Sequence, residues 1–198
     1  MSLIRLKNNA LDNLTSFTGS ASLGDMVFIS SATASSSASI EFSLGSYKEY
    51  KFFFVNIHPQ TDNVGFQFNF STDNGSNYNV TKTTTFFRTY HAESDAEASL
   101  EYQTSNDLAQ STSFQNILTE IGNDNDQSGS GYLHLFNPSS STYVKHFISN
   151  GDVCNNGNYQ LNLYTAGYAN TTSALTNIKF QMSSGNIDDG KILCFGLN

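Results

Sequence analysis

The chain has no tryptophan, only two prolines and two cysteines, and charged side chains make up just 13% of its residues. Scarce proline, together with the lack of any long Lys/Glu/Ala-rich stretch, argues against both a disordered chain and a helical bundle. No run of about 18 apolar residues occurs, so no helical membrane span is expected. Basic residues are few: 9 Lys and Arg stand against 17 Asp and Glu, for a net charge of -8. That is the wrong sign for a protein that grips a phosphate backbone by displacing counterions, and nucleic acid is not an expected partner. Met1–Lys7 carries two basic residues but runs into Asn8 and Asn9, not into the apolar stretch of a secretory leader. The expectation is therefore synthesis in the cytoplasm with reduced thiols. Cys194 lies in an alternating apolar stretch and reads as core, whereas Cys154 sits in a turn-rich segment and is unassigned.

What the chain does have is aromatic bulk, 16 Phe and 10 Tyr, in short β-prone runs separated by Asn, Ser and Gly. Ser37–Leu44 alternates Ala38, Ile40, Phe42 and Leu44 against polar neighbours, and Val64–Ser71 alternates Val64, Phe66, Phe68 and Phe70 in the same way. Tyr50–His58 is apolar on both faces, as a strand covered on both sides would be. Further strands are expected at 26–31, 83–90, 132–136, 143–149, 159–168, 177–182 and 191–197, with the 83–90 run returning from the 72–77 turn as a hairpin. His91–Ser99 reads equally as a short helix or a loop. Phe114, Ile117, Leu118 and Ile121 have helical spacing. Residues 1–24 keep neither period and read as an arm, with Leu3, Ile4 and Leu6 as its apolar anchors. The whole implies an all-β chain: an extended N-terminal arm (1–24) and one antiparallel β-sandwich domain (25–198), with the jelly roll as its expected form.

Candidate sites are few. Ser71-Thr72-Asp73-Asn74-Gly75-Ser76-Asn77-Tyr78 resembles the Asp-box of sialidases, with Tyr78 in place of the box's Trp. In such a box the Asp accepts turn hydrogen bonds, the Gly takes positive φ and the aromatic packs beneath, so Asp73, Gly75 and Tyr78 are expected to build a turn and to catalyse nothing. Asp124–Gly129 opens like a calcium loop, but its twelfth position falls at Leu135 and no helix flanks it. His58, His91, His134 and His146 lack zinc-site spacing, although His134 and His146 are placed to face each other across a hairpin. No nucleophile motif or phosphate-cradling loop is present, and no cofactor or enzymatic activity is expected. Glu93, Asp95, Glu97 and Glu101 form an acidic cluster that offers carboxylates to a hydrolase only if the fold brings a pair into a groove. Tyr159, Tyr164 and Tyr168, beside Asn and Asp, are what either a sugar-binding face or a strand core would use.

The closing stretch, Ser184-Gly185-Asn186-Ile187-Asp188-Asp189-Gly190-Lys191-Ile192-Leu193-Cys194-Phe195-Gly196-Leu197, resembles the S-G-x-I-x-x-G-x-I-x-L-Y-G-I ending of structural proteins of tailed bacteriophages, marine ones in particular. The likeness extends through 58–79, 147–148, 167–174 and 178–186, covering most of residues 24–198. It implies a virion protein, assembled in the host cytoplasm as a homotrimer and contacting a major capsid or tail protein. In one version it decorates or cements the capsid, held by its arm. In the other it is a tail-fibre or receptor-binding module that recognises host surface glycan.

Overall fold

The computed structural model describes residues 26–198. The arm and its anchors Leu3, Ile4 and Leu6 lie outside the described residues. Twelve strands follow one another: β1 (Val27–Thr33), β2 (Ile40–Ser43), β3 (Glu49–Pro59), β4 (Val64–Ser71), β5 (Lys82–Ala92), β6 (Ala98–Tyr102), β7 (Gln115–Ile121), β8 (Gly129–Phe136), β9 (Lys145–Cys154), β10 (Tyr159–Ala169), β11 (Asn177–Met182) and β12 (Ile187–Leu197). They form one eight-stranded and one four-stranded antiparallel sheet packed face to face.

The pairing identifies the topology. β1 pairs with β12, β2 with β11, β3 with β8 and β4 with β7, the nested set made by rolling up one long hairpin. Rolling adds the β12–β3 and β11–β4 pairs, giving the orders β1-β12-β3-β8 and β2-β11-β4-β7. This is a jelly roll. Two insertions, β5–β6 and β9–β10, extend only the first sheet, to β8-β9-β10-β5-β6. The smaller sheet therefore covers part of the larger one.

Alternation sends one set of side chains between the sheets. Phe180 of β11 packs against Phe54, Phe52 and Phe66 at ring-centroid distances of 5.3, 5.4 and 5.7 Å. Phe68 and Phe70 meet Phe147 at 5.1 and 5.9 Å, carrying the core toward the inserted strands. Each such pair adds about 0.5–1.5 kcal/mol beyond its buried area. Leu118 of β7 seats where Gly129 and Gly151 present no side chain; a Cβ on Gly151 would lie 2.1 Å from Leu118 Cδ2.

Two sequence expectations are corrected. The 72–77 turn does not close a hairpin, because β4 pairs with β11 and β7 while β5 pairs with β10 and β6. The turn carries the chain from one sheet to the other. The helical spacing of Ile117, Leu118 and Ile121 belongs to strand β7, whose register against β4 shifts twice and whose Glu120 has φ +58°. Bulges of this kind put neighbouring residues on one side and imitate a helical period. His91–Ser99 spans the end of β5, its turn and the start of β6.

Candidate functional site

The Ser71–Tyr78 turn is stapled by its own side chains. Ser71 Oγ donates to Asp73 Oδ1 and accepts from the Gly75 amide, and Asp73 accepts from the Asn77 amide and side chain. Bonds from Ser71 and Asn77 hold the Asp73 carboxyl down at about 2. Gly75 takes φ +86° and Asn74 φ +58°. Tyr78 donates to Glu41, and the Lys179 ammonium sits 4.3 Å from its ring centroid. Burial, then the Glu41 bond, raises the Tyr78 phenol above its ordinary range. The side chains of Ser71, Asp73 and Asn77 are thus bonded within the turn, and Tyr78 ties it to Glu41 of β2.

The outward face of the larger sheet is different. Since Phe52, Leu133, Phe147, Leu163 and Phe86 point into the core, the alternate positions of their strands point outward. Paired registers join those positions into one row across all eight strands: Ser31, Leu193, Phe53, Tyr132, Asn150, Tyr164, Phe87 and Tyr102. The adjoining row is Phe28, Phe195, Lys51, His134, Ile148, Ala166 and Thr85. Neither contains a carboxylate. Phe87 and Tyr164 stack at 4.8 Å and 7°, and Phe28, Phe195 and Phe53 meet edge to face at 5.5 and 5.6 Å. Phe28 is 55% and Ile148 48% exposed. Where β10 carries only Ala166 and Gly167, the face sinks into a trough of about 540 Å3 walled by Phe136, Ile148 and Tyr168. The outward face of the smaller sheet is polar by contrast, with Glu41 opposite Lys179, Ser43 opposite Asn177 and Gln67 opposite Gln181.

A second feature lies on the inward side, where the insertions run past the smaller sheet. Arg88 of β5 donates to Glu101 of β6 and Glu120 of β7, and packs 5.4 Å from the Tyr90 ring centroid. Burial opposes the guanidinium charge, but the two carboxylates more than offset it. Tyr90 and Tyr159 both donate to Glu97, which raises both phenols. With Asn155 and Leu161, the side chains of Arg88, Tyr90, Glu97, Glu120 and Tyr159 line a cleft of about 230 Å3. Of the acidic cluster, Glu97 lines the cleft and Glu101 joins it only as a partner of Arg88, whereas Asp95 pairs with His91 at the hairpin turn. Arg88 and Glu120 carry no motif, and Glu120 arrives only through the bulge in β7.

The remaining candidates disperse. Asp126, Asp188, Asp189 and His58 line a polar recess, but among the described residues no group of three or more His, Cys, Asp or Glu side chains is placed to hold a metal ion. His134 bonds to Glu49 at 2.7 Å while His146 lies against Tyr168, so the two histidines do not face each other. Cys194 is buried with its thiol pushed up to about 12, and Cys154 is raised by burial and by nearby Glu93. Both cysteines are free.

Comparison with known proteins adds no relative: no family model, curated protein or solved structure matches the chain.

Proposed function

We propose that the chain is a structural protein of a tailed-bacteriophage virion, displayed on the particle surface as a capsid decoration or cement protein. In this reading it assembles in the host cytoplasm as a homotrimer, contacts a major capsid or tail protein, and is held by its arm through Leu3, Ile4 and Leu6. The observation that carries it is the carboxylate-free aromatic strip across the eight-stranded sheet. A protein with net charge -8 has ample polar material for a wet surface, yet it concentrates Phe28, Phe87, Tyr102, Ile148 and Tyr164 on one sheet face. Large apolar side chains gathered on one exposed face favour its use as an interface. The likeness of the Ser184–Leu197 ending to phage structural proteins supplies the setting.

The test is to locate the protein in purified particles by labelling or cryo-electron microscopy, with residues 1–24 intact and deleted. Density on the head that disappears with the arm is expected. Absence from the particle refutes the virion reading.

A second reading, a receptor-binding module for host glycan, is favoured by the cleft. Tyr90 and Tyr159 offer ring surface, while Glu97, Glu120 and Asn155 offer acceptors and donors for hydroxyls. The cleft sets two carboxylates, Glu97 and Glu120, against the one guanidinium of Arg88, so its ligand would be a neutral sugar and not a uronic or sialic acid. Density on tail fibres, with glycan-array binding lost in Tyr159→Ala, would make this the leading function.

A further inference from the structure

We infer that the segment 103–114, which joins β6 to β7, is held on β5 by a lock built from the buried Lys82 and Asn69 side chains, and that this lock loosens as pH falls, freeing the segment while the two sheets stay paired.

The lock ties β4, the 72–81 link, β5 and the segment together at one point. Asn69 Oδ1 of β4 accepts from the Phe70 amide at 2.8 Å and from Lys82 Nζ of β5 at 2.5 Å. Asn69 Nδ2 donates to the Tyr78 carbonyl at 2.8 Å and to the Thr112 carbonyl of the segment at 2.9 Å. Lys82 Nζ also donates to the Val80 carbonyl, and the Lys82 backbone exchanges a pair of hydrogen bonds with Ser111. Three residues earlier, the Leu108 amide donates to Thr84 Oγ1 and its carbonyl accepts from the Thr84 amide, both at 2.8 Å. No residue of the segment is buried. Hydrogen bonds to β4 and β5 therefore hold it in place of apolar packing, which puts it at the low-stability end of the fold.

Among the described residues, the charge at the lock has no counterion. An ammonium carries three N–H donors, and the two acceptors that Lys82 Nζ finds are both uncharged. β4 and β10 contain no Asp, Glu, Lys, Arg or His. Asp107, the acid of the segment, accepts from Tyr102; Asp73 of the link accepts from Ser71 and Asn77; Arg88, farther along β5, is paired with Glu101 and Glu120. Lys145 of β9 shares the row of Lys82 across Ala169, and its ammonium donates to the Thr171 carbonyl. Burial draws Lys82 down to about 7, whereas a lysine returned to water keeps its proton to about 10.4. Between those values the open form binds more protons than the closed one. Each unit by which the pH falls across this window therefore raises the opening constant about tenfold, and below about pH 7 it levels off.

The experiment is amide hydrogen exchange of the full chain at several pH values between about 6 and 9, each rate divided by the intrinsic rate at that pH, for wild type, Lys82→Met and Lys145→Met. The Leu108 and Ser111 amides report the segment, and those of β3 and β8 report the paired sheet. In wild type the segment amides should be less protected than β3 and β8, and their protection should rise about tenfold per unit between about pH 7 and 9. Lys82→Met should abolish that rise, and Lys145→Met should keep it. Segment protection that does not change with pH overturns the inference, as does a rise that survives Lys82→Met. A rise that only Lys145→Met abolishes moves the titration to β9 and overturns it as well. So does a segment as protected as β3 and β8 at every pH, since it would then open only with the whole domain.

Discussion

Lys82 Nζ donates a 2.5 Å hydrogen bond to Asn69 Oδ1, with both residues fully buried. Its other acceptor is the Val80 carbonyl, and burial alone draws the ammonium down to about 7. The unfolded lysine keeps its proton to about 10.4. Between about pH 7 and that value the unfolded chain binds more protons than the folded one, so stability contributed by this group rises with pH through the window. Below about pH 7 both states are protonated and the full penalty of burying the charge remains. Lys82→Met should stabilise the domain by about 1–3 kcal/mol at neutral pH and remove the slope. Urea midpoints at several pH values between about 6 and 10 check it; an unchanged slope would show that another group titrates there.

Asp73 acts in the opposite sense. Its folded pKa is depressed to about 2, so its contribution is present above the ordinary carboxylate range and is lost as pH falls toward 2. Asp73→Ala removes the acceptor of the Ser71 and Asn77 bonds and should lower the melting temperature at pH 7 while flattening the acid limb below about pH 4. A melting curve identical to wild type at both pH values would mean that the backbone conformation at Asn74 and Gly75 suffices to hold the turn.

The strands were legible wherever polar side chains alternate with apolar ones, because Ile40–Ser43 and Val64–Ser71 alternate by two and the structure keeps their bounds to within a few residues, even though Asn69 and Ser71 turn out to be buried. β7 was not, because its bulges bury Ile117 and Leu118 side by side. The hairpin expected after the Asp73 turn failed for a different reason: local turn chemistry fixes how the chain reverses but not which sheet the next strand joins. The outward strip was illegible for a third. Phe53 read as covered in Tyr50–His58 and Tyr132 only as the start of a strand, and only the cross-strand registers show them sharing an outer face with Phe87 and Tyr164. The cleft was visible only through Glu97 and Tyr159, since Arg88 and Glu120 lie 32 positions apart.

In the cleft, Arg88→Ala leaves Glu101 and Glu120 facing each other without their shared cation. The side chains of both glutamates are more than one-third exposed, so solvent screens part of the repulsion. A loss of about 1–2 kcal/mol is expected, and Glu120→Gln in the same background should restore part of it by removing one charge. Thermal denaturation of the two single variants and the double variant measures the coupling. Strict additivity would mean that the ion pairs contribute nothing to holding β6 and β7 beside β5.

Gly151 sets how closely the smaller sheet approaches the extension. Its position on β9 faces Leu118 of β7, and Gly131, its register partner on β8, lies beside it. A valine at 151 must displace Leu118 or push β7 outward, because the clash distance of 2.1 Å is far below any van der Waals contact. Gly151→Val should cost about 3 kcal/mol or more, above the common range for overpacking, since Leu118 is itself fully buried and has no free direction to move. Shortening Leu118 in the same chain makes room, so Gly151→Val with Leu118→Ala should be more stable than Gly151→Val alone, although Leu118→Ala by itself costs about 2–5 kcal/mol. That reversal of sign, read from urea unfolding of the three variants, is specific to direct contact. Additive losses would place the valine elsewhere than against Leu118 and break the account of how β7 docks on the glycine-lined stretch of β8 and β9.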